Sequence, residues 1–226
     1  MSERVAVVVG AGRDLGLATA LVLADAGFSV TAVDRTEKAL DQLPDGIRRE
    51  VGDATDPAVA RDVIDRIATE SGPPEVLVNT LGAFRPGEAV TATPEDLRLM
   101  LDVNLGAALW LSQAVAPYMR RRGQGAIVHV SARPASEPTA GMAAYSLGKA
   151  ALNHLVRILD LELRPHGIRV NAVAPQLLDT AKNRAMLPPE ALAHAVPSET
   201  IAHIIAFLAG DLATSVSGAI VPAYGT

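Results

Sequence analysis

The feature that most limits how this chain can fold is an alternation. The β-branched run "RVAVVVG" (4–10) ends in glycine and passes directly into "DLGLATALVLADAG", whose apolar residues recur at helical spacing. The exchange repeats along the chain. "SVTAVD" (29–34) precedes a polar helix near 36–43, "IRREVGD" (47–53) a helix over about 57–70, and "EVLVNTLG" (75–82) a longer helix over about 95–122. "GAIVHVSA" (125–132) precedes a helix over about 143–164 and "IRVNAVAP" (168–175) leads on to one over about 198–210, with "SGAIVPA" (217–223) last. Strands apolar on both faces, separated by helices, predict a parallel sheet covered on both sides, and right-handed crossovers make it a doubly wound, three-layer α/β/α sandwich. Residues 181–198, with Pro188, Pro189 and Pro197, read as a loop or lid with short helical pieces. No repeat or linker interrupts the pattern, which implies a single domain over 1–226.

Composition removes several functions. Net charge is −5 and the only basic block is Arg120-Arg121-Arg122 at a predicted helix end, where it suits the helix dipole; nucleic acid is not an expected partner. There is no cysteine, which excludes disulfides, thiolate nucleophiles and zinc–thiolate sites and fits a reducing, cytoplasmic setting. The histidines at 129, 154, 166, 194 and 203 lack paired ligand spacing, so no metal is expected, and His129 reads as a strand residue packed or hydrogen-bonded in place. The N-terminal apolar run is too short for a signal peptide. The segment 105–119, interrupted by Ser112, Gln113 and Pro117, falls short of a membrane span, so no membrane is expected.

Two clusters carry chemistry. The first strand opens into Gly10-Ala11-Gly12-Arg13-Asp14-Leu15-Gly16, a strand-to-helix turn where a backbone without side chains can approach a pyrophosphate at the positive end of a helix. The second strand ends in Asp34, whose carboxylate can accept from adenosine ribose hydroxyls and would repel a 2′-phosphate. Arg13 and Arg35 could pair with that phosphate, yet the closest charge is negative, so NAD is favoured over NADP. The second cluster is Tyr145 and Lys149, four residues apart on a predicted helix and so on one face. A lysine cation one turn away is expected to lower the tyrosine pKa from its usual value of about 10, making it a general acid for a carbonyl oxygen.

With those residues placed, the chain resembles the short-chain dehydrogenases/reductases over essentially its whole length. Gly10, Gly16, Asp34, Asp53 in "GDATD", Asn79 and Gly82 in "VNTLG", and Asn104 in "DVNLG" fall in register. So do Tyr145 and Lys149 in "YSLGK", Asn171 and Pro175 in "VNAVAP", and Thr180 in "LLDT". The resemblance implies a Rossmann-type NAD(P)-binding domain that transfers hydride between nicotinamide and a small-molecule substrate. It implies that Gly10, Arg13, Asp14, Leu15 and Gly16 line the pyrophosphate, that Asp34 and Arg35 meet the ribose, and that Asp53 with Ala54 meets the adenine. Asn79 and Gly82 would hold the adenosine side, Lys149 would bond the nicotinamide ribose while assisting Tyr145, and Asn104 would hold a water behind Lys149. Thr180 and the backbone after Pro175 would fix the carboxamide. Asn104 and Asn171 could instead simply satisfy backbone groups. The family also suggests a homotetramer or homodimer built from the helices at 95–122 and 143–164.

The departures are informative. Val9 stands where the family usually has threonine, and Asp14 replaces a turn glycine; its expected role is to cap the helix or pair with Arg13. The usual glycine after Pro175 is Gln176. The usual serine, thirteen residues before the tyrosine, is Ala132; Ser131 and Ser136 are the candidates to replace it. Dihydropteridine reductases resemble this chain in the same omission and in "LLDTAKNRAMLP" (177–188), which adds a quinonoid dihydropterin to small carbonyls and alcohols as substrate classes. A catalytically weak dinucleotide-binding protein is a third reading. Phe84 is the candidate for stacking on a planar substrate, whereas Trp110 reads as core or interface.

Overall fold

The computed structural model describes residues 4–225. Its centre is a parallel sheet built from β1 (Val5–Val9), β2 (Ser29–Asp34), β3 (Arg48–Val51), β4 (Val76–Asn79), β5 (Gly125–Val130), β6 (Ile168–Pro175) and β9 (Ile220–Ala223), in the order β3-β2-β1-β4-β5-β6-β9. Helices α1 (Asp14–Asp25), α2 (Glu37–Leu40) and α9 (Ser198–Ala209) cover one face. The other carries α3 (Pro57–Glu70), α5 (Ala107–Arg122) and α6 (Ala143–Leu163), with α4 (Pro94–Leu101) packed on α6. Burial explains the composition of β1. Ala6 and Val8 pack into the α1–α9 layer, Val5, Val7 and Val9 into the α3–α5–α6 layer, and none is more than 2% exposed. The edge strands lack that character: Arg48, Arg49 and Val51 of β3 are exposed, as is Pro222 of β9.

The order reverses between β1 and β4, which opens a crevice at the carboxyl ends of those strands, where doubly wound sheets bind ligands. Residues 181–198 hold α7 (Ala181–Met186), α8 (Pro189–Leu192) and β8 (Val196–Pro197), which pairs with β7 (Leu178–Asp179) in a two-stranded ribbon, so the short helical pieces expected there are present.

The long helix differs from its sequence reading. It runs 94–122, and by length and composition this run could cross a bilayer. Here Met100, Leu111, Val115 and Met119 are fully buried in the fold. Nor is it a uniform α-helix: Asp102–Gly106 forms a π turn. Such a turn inserts one residue into the helical ladder and re-aims the side chains around it. Asn104 lies within it.

Candidate active site

The glycine turn is shaped by close approach. A Cβ on Gly16 would lie 2.0 Å from the Gly10 carbonyl oxygen, so the first turn of α1 can only pack this tightly on the loop with glycine there. Asp14 takes φ 46°, a left-handed conformation that glycine adopts freely and aspartate tolerates at a cost of about 1 kcal/mol. The expected capping role is overturned. Asp14 is the first residue of α1, Arg13 is at the N-cap, and no side chain caps the helix. An uncapped N-terminus leaves backbone N–H groups facing the turn. Asp34 reaches the same place, with Oδ2 accepting from Gly12 N at 3.0 Å and Oδ1 from Arg35 N at 2.7 Å. The turn is tied to β4 by Thr80, whose hydroxyl donates to Val9 O at 2.8 Å. These groups fit a dinucleotide: free donors for its phosphates and a carboxylate for its ribose.

Tyr145 and Lys149 project from one face of α6 at the carboxyl end of the sheet. Lys149 is 3% exposed and donates to Val130 O at 2.7 Å. Burial pulls its pKa down to about 8. Tyr145 departs from expectation: burial pushes its pKa up to about 12. The cause is desolvation behind Phe84, whose ring meets the tyrosine edge-on at 5.1 Å, while the lysine donates elsewhere. The proximity of the pair on the helix is right; the downward shift is absent. Asn104 Oδ1 accepts from Ala83 N at 3.2 Å and its Nδ2 donates to Ala83 O at 3.0 Å, so its amide clasps the loop after β4. A Cβ on Gly82 would lie 3.3 Å from both Asn104 Oδ1 and Lys149 Nζ, which explains a glycine at the meeting of the three.

The serines resolve against a substitute hydroxyl. Ser131, 3% exposed, turns to α6 and donates to Asn153 Oδ1 at 2.5 Å. Ser136 is exposed and accepts from the same amide at 3.4 Å. Ala132, extended and 5% exposed, occupies the position between them.

The remaining predicted residues divide by partner. Asp53 Oδ1 accepts from the Thr55 hydroxyl at 2.6 Å, which holds its carboxyl below the usual range. Ala54, beside it, is buried. Asn79 Oδ1 accepts from Leu81 N and shapes the strand end. Thr180 caps α7 by accepting from Asn183 N at 3.1 Å. Asn171 serves the backbone alone, donating to Val216 O and accepting from Ala219 N. Leu15 is buried, and Arg13 and Arg35 are exposed at the turn. Phe84 is 54% exposed over Tyr145, and Trp110 is half-buried beside the α3–α5–α6 core.

His129 is the packed, hydrogen-bonded strand residue that the sequence suggests, and the depth of its burial is what the sequence did not show. It is fully buried on β5, with Nε2 3.2 Å from the Ser112 hydroxyl. Ser112 spends its own proton on Ala108 O, so Nε2 carries the imidazole proton, and Nδ1 has no partner among the described residues. Burial, with the nearby Lys149 charge, pulls the histidine pKa down to about 3.

A family model described as short chain dehydrogenase matches residues 4–191. A short-chain reductase protein, NovJ, from Streptomyces niveus is 41% identical over 185 residues, spanning 79% of this chain and 70% of its own. A galactitol 2-dehydrogenase from Rhizobium johnstonii is 34% identical over 235 residues, with 96% of this chain and 91% of that one covered. Among solved structures, a gluconate 5-dehydrogenase from Burkholderia cenocepacia, in complex with NADP and tartrate, superposes with TM-score 0.92 at 26% identity. That superposition covers 100% of this chain and 95% of the other.

The buried histidine sets an acid limit. Between about pH 3 and its ordinary value of about 6.5, the unfolded chain binds a proton that folded His129 refuses, so stability falls as pH drops through that window. Urea midpoints from pH 7 to 4 are expected to fall more steeply for the wild type than for His129→Asn. Parallel curves would show that His129 does not carry the acid sensitivity.

Proposed function

The chain belongs to the short-chain dehydrogenase family and is an NAD(P)-dependent oxidoreductase; on that premise we propose that Tyr145 is its general acid/base, acting on a small carbonyl or alcohol. One observation carries the reading: the cation of Lys149 and the phenol of Tyr145 share a face of α6 at the carboxyl end of the sheet on which the glycine turn opens. The nicotinamide supplies the hydride. With hydride delivered to the carbonyl carbon, the Tyr145 phenol would give its proton to the carbonyl oxygen as negative charge develops there. A phenol buried to a pKa of about 12 stays protonated across neutral pH, ready to donate in the reductive direction. Lys149, largely cationic at neutral pH, stabilises the phenolate left behind. Phe84, edge-on to Tyr145 and half-exposed, forms an apolar wall for the substrate.

For the cofactor, Asp34 supports NAD. Its carboxylate is held against the turn by two backbone donors, and a fixed negative charge there disfavours a 2′-phosphate. The apolar side chains of Leu147 and Leu161, 58% and 73% exposed on α6, support a homodimer or homotetramer.

Tyr145→Phe is expected to lower NAD(P)H oxidation by at least about a hundredfold while leaving nucleotide affinity intact; unchanged turnover would overturn the assignment. The assay should run ketones, quinones and quinonoid dihydropterin in parallel, since activity confined to the last would replace the simple carbonyl as substrate. NADH is expected to bind at least about tenfold more tightly than NADPH. The reverse order would mean that Arg13 and Arg35 outweigh Asp34. Light scattering is expected to give a mass of two or four chains, and a monomer would remove α6 as an interface.

A further inference from the structure

Ala132 offers the substrate oxygen no donor, and both neighbouring serines are turned to Asn153. Another donor stands on the adjacent strand. β5 and β6 pair with His129 opposite Ala172 and Val130 opposite Val173. Continued in that register, Arg133 falls opposite Gln176, and the side chains meet, with Arg133 Nη1 donating to Gln176 Oε1 at 2.8 Å. Both residues stand just past the carboxyl ends of adjacent strands, since β5 ends at Val130 and β6 at Pro175, at the end of the sheet where Tyr145 lies.

Height agrees with that placement. The Lys149 bond to Val130 O sets the level of α6 against the sheet. Tyr145 is four residues back along the helix, about 6 Å toward the carboxyl ends of the strands. Ala132 is two residues past Val130, about 7 Å in the same direction, with Pro175 opposite it and Gln176 one step on. Tyr145 and Ala132 therefore stand at one level, with Gln176 one residue step, about 3.3 Å, beyond it.

The Gln176 amide is oriented. Its oxygen is taken by the guanidinium, so its NH2 group faces away from Arg133, and Nε2 makes no hydrogen bond among the described residues. Arg133 is itself held, by Nε donating to Glu137 Oε2 at 2.7 Å and by stacking 4.9 Å from the Tyr224 ring centroid. A cation bonded to an amide oxygen withdraws electron density and strengthens the N–H donors.

Resting on the oxidoreductase reading above, we propose that the Gln176 Nε2 group donates to the substrate oxygen as charge develops there, with Arg133 as the residue that positions it. The residue usual at 176 is glycine and at 132 serine; the donor has moved from one strand to the next. An NH2 group carries two donors, so it suits a pair of adjacent oxygens, as in a vicinal diketone or an α-hydroxyketone, better than a lone ketone.

The test uses 2,3-butanedione, with 2-butanone as the single-oxygen comparison and whichever of NADH and NADPH binds more tightly. Gln176→Ala is expected to lower kcat on the diketone by about tenfold to a hundredfold, with nucleotide affinity unchanged. Gln176→Glu, which keeps the shape and the Arg133 contact but removes the donors, should lose as much. Arg133→Leu should lose less, and adding it to Gln176→Ala should cost nothing further. Ala132→Ser placed in the Gln176→Ala background should restore part of the loss, a rescue that a merely structural glutamine would not show. A Gln176→Ala enzyme within twofold of an active wild type overturns this proposal alone, as do additive losses. A wild type that binds nucleotide yet reduces no carbonyl or quinone overturns the oxidoreductase reading and this proposal with it.

Discussion

Lys149 puts a cation, 3% exposed, between α6 and the central sheet, and its 2.7 Å bond to Val130 O is what makes that burial tolerable. An unpaired ammonium in such a place costs several kcal/mol, so the helix is held at the height where lysine and carbonyl meet. Much of the site follows from that one level. It places Tyr145 above the strand ends, brings Gly82 and Asn104 against the ammonium, and adds to the burial that lowers the pKa of His129 on the strand beneath. The π turn serves the same arrangement, because it carries Asn104 to the Ala83 backbone that shapes the loop over the lysine.

At the other end of the crevice, backbone groups do the work. The donors of the uncapped α1 terminus and the Asp34 carboxylate converge at a turn so tight that Gly16 touches Gly10. Val9, a departure from the family pattern, lies at that turn. Val9 cannot tie the turn to β4, and Thr80, on β4's side, supplies the hydroxyl that does. Asp14 is a milder case, in which a residue that tolerates a left-handed conformation stands in for glycine.

The pattern around Ala132 has the same logic. Ser131 spends its proton on Asn153 Oδ1, and Ser136 is drawn to the same amide. The place of the missing group lies just past the end of β5, one residue before Arg133, which holds the unusual Gln176. Two departures that look independent along the chain, Ala132 and Gln176, lie at the ends of neighbouring strands.

The alternation of β-branched runs with amphipathic helices was enough to determine the doubly wound sheet, because burial on both faces leaves strands few other compositions. The sequence likewise placed the glycine turn, Asp34 and the Tyr145–Lys149 face, since each depends on local spacing alone. It could not show the π turn, the upward shift of the Tyr145 pKa, the orphaned Nδ1 of His129 or the pairing of Arg133 with Gln176. Those depend on desolvation and on contacts between residues distant in the chain. Only the tertiary structure decided them, because the packing that removes water from a side chain is assembled from several elements at once.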